Sequence, residues 1–464
     1  MAERLAFVTG HLARARLERQ LADLRDPDFQ WSIIDIGVKV AALMTEQIIM
    51  RRLTIEPGTD RVILPGRFRG DIDRLSQHFG VPFLRGPDEI ADLPAFLGRK
   101  GLPPDLSQHD MRIFAEIVEA SMMDVPAILA RARKLADAGA DVIDLGCLPE
   151  TPFPHLADAV RALIAEGHTV SVDSANLDEL RTGAEAGAHY LLSLTEHTLH
   201  LALETGTAPI LIPSQPGDLD SLGRAISAAQ AAAIPFIADP VLDPIHFGFA
   251  QSLGRFLEAR KRWPDIELLM GTGNLTELTD ADTSGITAML GGICSELAIH
   301  NVLVVNVSPH THRTVEEHDI ARRILFAARR DAALPRGYSN GLLQVHDRKP
   351  HPSTIEDIHR LAADVRDGNY RIMTAEDGIH IFNAKGHHVA RDAFDLFPKL
   401  GVEADGGHAF YLGAELSKAE TAWKLGKRYA QDEPLDWGVG ADLPEQDRLR
   451  LREAGHTLRG KKEP

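Results

Sequence analysis

The sequence predicts an α/β protein whose centre is an eight-stranded (β/α)8 barrel, a TIM barrel. Two observations carry this. Between about residues 110 and 332, eight short apolar runs recur at even spacing, and stretches with helical periodicity lie between them. Eight strand–helix units in about 220 residues is the size of a closed barrel. An open doubly wound sheet is the competing arrangement, and the count of eight favours closure.

The expected strands are Arg112–Ile117, Asp141–Leu145, Thr169–Val172, Tyr190–Leu194, Pro209–Ile212, Pro235–Ala238, Glu267–Met270 and Asn301–Val305. The expected helices include Val125–Ala138, Leu177–Ala186, Leu219–Ala233, Phe249–Arg262, Ser284–Ala298 and His318–Ala328. Each places apolar residues three and four apart, as a helix packed on a sheet requires.

Residues 1–105 read as a small α/β domain. Leu5–Val8, Ser32–Ile36 and Arg61–Leu64 are strand-like, and leucines fall at helical spacing from Leu12 to Leu24. Turn formers from Gly86 to Pro94 and from Gly101 to Pro104 predict a linker. The barrel then occupies residues 106–334, and an α+β extension 335–464. In the extension, Tyr370–Ile372 and Ile379–Asn383 form a hairpin through Asp377-Gly378, and Leu412 to Tyr429 a helix. The polar stretch from Leu443 should fray.

Composition narrows function by exclusion. The chain has 464 residues, 44% hydrophobic and 25% charged, and a net charge of −17. Acidity without a basic stripe argues against nucleic acid. Two cysteines cannot make a disulfide framework. No apolar run approaches the ~20 residues that span a bilayer, and no signal-peptide core opens the chain. A cytoplasmic protein without membrane or nucleic-acid partners is expected.

A barrel carries its active site where its strands end. Asp144, Asp173 and Asp239 fall at the ends of the second, third and sixth runs, and Asn274 follows the seventh. Carboxylates and a carboxamide converging in an apolar cup suit a neutral heterocycle with several N–H donors, such as a pterin. Any single one of these Asp residues could instead cap the next helix or close an Asx turn. The fourth run leads into Ser193-Leu194-Thr195. His310, His312 and Arg313 follow the eighth and are candidates for an anionic group. His310 and His312 could also share a metal such as zinc, although two ligands are not a site. Glu116 is either an oxygen donor for Mg²⁺ or an ordinary strand-end residue. Cys147 reads as packing. Val8-Thr9-Gly10-His11 and the arginines of Pro65-Gly66-Arg67-Phe68-Arg69 are weak candidates for phosphate contacts.

Val142-Ile143-Asp144-Leu145-Gly146, Glu150-Thr151, Val170-Ser171-Val172-Asp173-Ser174 and Phe236-Ile237-Ala238-Asp239-Pro240 resemble dihydropteroate synthase. Over nearly its full length the chain resembles the dihydropteroate synthase-like proteins of methanogens and methylotrophs. Phe410 to Glu420 is also similar to that group. The resemblance implies a pterin-binding TIM barrel and a transferase of tetrahydromethanopterin biosynthesis and one-carbon metabolism. Such an enzyme joins a dihydropterin methyl pyrophosphate to an arylamine, here a ribofuranosylaminobenzene phosphate. It implies Asp144, Asp173 and Asp239 at the pterin, and Mg²⁺ with the pyrophosphate. Thr151 would contact the pyrophosphate or the arylamine. A homodimer is also implied.

Two departures stand out. The synthases carry a Lys after the seventh strand, where this chain has Gly271-Thr272-Gly273-Asn274. Asn there is closer to methyltransferases acting on methylpterins or methylfolates. The first strand lacks the synthases' Asn and offers Glu116. A methyltransferase and a non-catalytic pterin-binding or scaffold protein are therefore the alternatives.

Overall fold

The structure, a computed structural model, describes residues 2–24, 28–99 and 104–441. Residues up to Ser339 form one compact unit and those from Asn340 a second. The expected terminal fray beyond Leu443 and the Gly101–Pro103 part of the linker lie outside the described residues.

The first unit opens with a four-stranded sheet of β1 (Glu3–Thr9), β2 (Phe29–Asp35), β3 (Arg61–Leu64) and β4 (Phe83–Arg85). The strands are parallel, in the order β2-β1-β3-β4. The sequence reading missed β4, whose three residues are too short for a period-2 signal. The expected linker is partly structured. Ile90–Asp92 and Leu93–Phe96 make helical turns, and Leu93 is buried against the sheet domain.

The barrel follows, from β5 (Arg112–Ile117), β6 (Val142–Gly146), β7 (Thr169–Asp173) and β8 (Tyr190–Leu194) to β9 (Ala208–Leu211), β10 (Ile237–Ala238), β11 (Leu269–Gly271) and β12 (Asn301–Val304). The pairing runs β10-β9-β8-β7-β6-β5-β12-β11, all parallel, and an Ala238–Leu268 bridge joins the ends. The sheet is thus nearly closed on itself, as a barrel. Asp and Asn residues start several of the intervening helices. Asp124 accepts from the Ala127 N–H and Asp218 from the Ser221 N–H, satisfying donors that a helix start leaves open.

Alternation along each strand separates two faces. Ile113, Ile143, Val170, Val172, Leu191, Leu211, Met270 and Val302 pack beneath the helices. Phe114, Val142, Leu192, Ile210, Ile237 and Leu269 fill the barrel's interior instead. Two positions further along β5, β6 and β11 the inward residues are Glu116, Asp144 and Gly271, and Asp239 follows β10 directly. An apolar layer thus floors a polar one at the strands' C-terminal ends.

The second unit holds β13 (Arg371–Ala375), β14 (Gly378–Asn383) and β15 (Gly386–Ala390), an antiparallel sheet in that order. The expected hairpin is present, with an additional third strand. The helix lies at Gly406–Leu425, earlier than expected, because Gly426 at φ 64° ends it. This helix covers one face of the sheet through Leu412, Leu416 and Ala419 against Ile379 and Ile381. Helix Ile355–Asp364 covers the other, through Ile358 against Phe382. No helix among the described residues is long and apolar enough to cross a membrane.

Candidate active site at the barrel mouth

Register builds the site. Glu116 on β5 pairs with Asp144 on β6, Asp144 with Ser171 on β7, and Gly146 with Asp173. Inward-facing residues in adjacent register share one layer, so three carboxylates meet. Oxygens of Glu116, Asp144 and Asp173 all lie within 4.8 Å of one another. Gly146 makes room for them, since a Cβ there would stand 2.5 Å from Glu116 Oε1.

Asp144 is not a rim residue, contrary to the sequence reading. It sits two residues before the strand end and is fully buried. Ser171 donates its hydroxyl to Oδ1, and Oδ2 is buried without a partner. An unpaired buried carboxylate oxygen is costly, so this atom calls for a proton, a cation or a ligand donor. Burial, then the charges of Asp173 and Glu116, hold Asp144 well above the usual carboxylate range. Burial and the Asp173 charge push Glu116 up to about 7. Burial also raises Asp173, against the hydroxyl of Ser193, which donates at 3.4 Å. Ser193 adopts a left-handed φ of 93° at a bulge where the pairing of β8 with β9 shifts.

Asp239, just past β10, completes the layer. Its Oδ1 accepts the Val241 N–H at 2.7 Å, an Asx turn. Burial raises it to about 7, opposed by that N–H and by Arg255. Arg255 donates to the carbonyls of Pro240 and Val241 and to Asp243. Val241 is thereby held at φ 69°, a strained conformation for a β-branched residue. Asn274 lies on the short helix Gly273–Thr276 and donates to the Leu242 carbonyl at 2.7 Å. The loops after β10 and β11 are therefore tied together at the site.

Helix capping does not explain these acids. Asn176 caps the helix after β7, and the helix after β10 starts beyond Gly248. The helix after β6 starts at Leu156, with no side-chain cap. For Asp239 the Asx-turn expectation holds in addition to its place at the mouth.

The other expected residues are engaged locally. Thr151 turns its hydroxyl to the Pro149 carbonyl at 3.4 Å. His310 bonds the Thr276 carbonyl and exposed His312 the Pro309 carbonyl. These two rings point at different backbone groups, and the pair belongs to no group of three metal ligands among the described residues. Arg313 pairs with Glu316 at 3.3 Å and immediately precedes helix Thr314–Arg330. Sequence reasoning missed Ser171, Arg255 and Asp243. Arg255 lies on a helix, where only the fold could bring it to the loop after β10. Burial pushes the Cys147 thiol up, which excludes a ready thiolate.

A separate cavity of about 230 Å³ lies at the ends of β1 and β3, where the strand order reverses. Thr9 and Arg67, from the two weakly marked loops, both line it, and none of the barrel carboxylates does.

Comparisons with known proteins fall into three groups. A family model described as a family of unknown function, DUF6513, matches residues 3–88, the four-stranded sheet domain. Over 92% of its length the chain is 23% identical to an uncharacterized protein of Methanocaldococcus jannaschii, of which it covers 98%. Similar solved structures are dihydropteroate synthases, matched over about half of this chain. One, from Yersinia pestis with a pterine–sulfa conjugate, is 21% identical, covers 49% of this chain and 95% of that one, and has a TM-score of 0.37. Another, from Vibrio fischeri, is 18% identical over 50% and 96%, with a TM-score of 0.38. A third, from Thermus thermophilus in complex with 6HMPPP, is 21% identical over 49% and 96%, with a TM-score of 0.36.

Proposed function

We propose that the barrel mouth binds a pterin and catalyses a dihydropteroate synthase-type transfer. The observation that carries this reading is the cluster of three inward carboxylates from adjacent strands, one with a buried unpartnered oxygen, with Asp239 facing Asp173 from just past a fourth strand. Such a layer suits a flat heterocycle with N–H and amino donors. Asp239 anchors the pyrimidine edge with the oxygen that its Asx turn leaves over. Asp173 and Asn274 flank the ring, and Asp144 supports from below.

In the reaction, the arylamine nitrogen forms a bond to the pterin methylene, the carbon–oxygen bond breaks, pyrophosphate leaves with its electron pair, and the nitrogen releases one proton to water or pyrophosphate. Positive charge grows on the pterin as that bond breaks. Buried carboxylates fixed beforehand by the strands stabilise it without reorganising. Arg313, His310 and His312 receive the pyrophosphate, at the positive end of helix Thr314–Arg330. Thr151 and Ser193 border the substrates. The all-oxygen donor set of Glu116, Asp144 and Asp173 fits a hard cation, and the open Asp144 oxygen is a ready ligand. Mg²⁺ held there would neutralise the acids and offset pyrophosphate charge.

The arylamine is a ribofuranosylaminobenzene phosphate in this reading, which places the enzyme in tetrahydromethanopterin biosynthesis. Pyrophosphate release from a dihydropterin methyl pyrophosphate tests it. Release that depends on p-aminobenzoate or the ribosylated amine supports the transferase, and no release with either overturns it. Asn274 in place of the usual Lys favours methyl transfer from a methylpterin as the second reading. Demethylation of a methylpterin with a corrinoid acceptor would establish that activity instead.

A further inference from the structure

The second unit carries a cluster of histidines that the proposed reaction does not use. His380 is on β14, His387 on β15 and His359 on helix Ile355–Asp364. The register pairs Phe382 with His387 and His380 with Val389, so His380 and His387 share a face diagonally. That face is the one Ile358 packs on, which brings His359 from the helix above it. The three ring centroids are 5.1 to 6.2 Å apart.

The chemistry within the cluster is specific. His380 is fully buried, in a strand whose neighbours are isoleucine and phenylalanine. A sheet that needed only filling would place an aliphatic side chain there, because a buried imidazole costs free energy unless it is paired. Asp377 Oδ1 lies 2.8 Å from His380 Nε2. An ionised carboxylate can only accept, so Nε2 carries the hydrogen and Nδ1 is the nitrogen left to bind a metal. That Nδ1 faces His387 Nε2 at 3.0 Å. A carboxylate behind a histidine whose other nitrogen points at further imidazoles is the arrangement that orients histidine ligands on metals.

We infer that His359, His380 and His387 bind one divalent transition-metal ion of the zinc class, with Asp377 fixing the ring of His380. One ligand nitrogen from each ring lies within 4.8 Å of the others. Nitrogens 2.0–2.1 Å from a tetrahedral zinc stand about 3.3 Å apart, so modest ring rotations close the set. Imidazole donors select zinc and its neighbours, whereas the carboxylates of the barrel select magnesium. Three protein ligands leave a fourth position for water or another donor. The ion would clamp helix Ile355–Asp364 to the β14–β15 hairpin.

Full-length protein stripped with a chelator tests this, by Zn²⁺ calorimetry and by the visible spectrum of Co²⁺. One equivalent of Zn²⁺ should bind, at least tenfold more weakly in His359→Ala and in His387→Gln, and tenfold to a hundredfold more weakly in Asp377→Asn. Asp144→Asn should leave this equivalent in place, which separates it from the barrel site. His359 is exposed, so its removal should leave the far-ultraviolet dichroism unchanged. His388→Ala, on the opposite face of β15, should bind as the wild type does. Equal Zn²⁺ affinity in His359→Ala and wild type, or no Co²⁺ bands from a nitrogen site, would overturn the inference.

Discussion

Glu116 on β5 and Asp144 on β6 stand opposite each other in register, two carboxylates in one buried layer. Like charges in facing strand positions destabilise a sheet, and burial multiplies the cost. Asp173 adds a third acid within 4.8 Å. The fold tolerates the triad only if protons, a cation or ligand donors neutralise part of it. That requirement gives the site a measurable pH signature.

Glu116 illustrates the sign. Its carboxyl sits near 7 in the folded chain, against 4.5 for an ordinary Glu. Below about pH 4.5 both folded and unfolded states hold the proton, so Glu116 costs nothing. As pH rises towards 7 the unfolded chain releases its proton first, and stability is lost through that window. Glu116→Gln keeps the shape and removes the titration. It should match wild type at pH 4.5 and exceed it at pH 8, by about 1–3 kcal/mol. Denaturation midpoints across pH 4.5–8 check this. A parallel pair of curves would refute it.

Cation binding competes with the same protons. With Mg²⁺ in excess, the melting temperature should rise at pH 8, and the rise should fade towards pH 5 as the triad protonates. Asp144→Asn removes the oxygen that has no partner and should abolish most of the rise. Thermal melts with and without Mg²⁺ measure it. A rise of equal size at both pH values would place the cation elsewhere.

Much of this layer was legible in the sequence, for a physical reason. A strand ending in Asp breaks the apolar run that defines it, so Asp173 and Asp239 announce themselves. Asp144 was found too, but its depth was not, because two more residues, Leu145 and Gly146, continue the strand. Whether an inward residue is a rim or a floor depends on where neighbouring strands stop. Arg255 was silent because its partners, the Pro240 and Val241 carbonyls, lie on a loop that curls back. The histidine cluster of the second unit was equally silent. It joins a hairpin to a helix 21 residues upstream of His380, and β15 itself was not anticipated. The eight barrel strands were legible because apolar runs with helices between them repeat eight times.

Arg322 closes the opposite end of the barrel. Its side chain is only 2% exposed, yet it donates to the Met111 and Gly139 carbonyls, to Asp319 and to Asp141. One guanidinium thus joins the last barrel helix to the start of β5 and the turn before β6. Arg322→Met should lower stability by about 2–4 kcal/mol, because it takes the guanidinium from two carbonyls and two carboxylates, leaving Asp141 only the Ile113 N–H and Asp319 only Arg323. Urea denaturation should show the loss with the m-value unchanged. A loss under 1 kcal/mol would mean that water replaces the guanidinium freely.

Val241 separates stability from function at the mouth. Its φ of 69° costs roughly 1–2 kcal/mol for an L-residue, and glycine pays no such penalty. The strained turn is held by the Asp239 carboxylate below and by Arg255, which grips the Val241 carbonyl. It fixes the direction of the Asp239 side chain. Val241→Gly should therefore melt at or above the wild-type temperature while binding a pterin more weakly, because a freer loop lets Asp239 sample unproductive rotamers. At pH 8, where Asp239 is ionised, Asp239→Asn loses the charged acceptor and should weaken the same ligand by more than about 1.5 kcal/mol, a tenfold or larger change. Fluorescence titration with a pterin, run beside thermal melts, reads both quantities. If Val241→Gly both melted lower and bound as tightly as wild type, the strained turn would be a packing necessity and not a device for aiming Asp239.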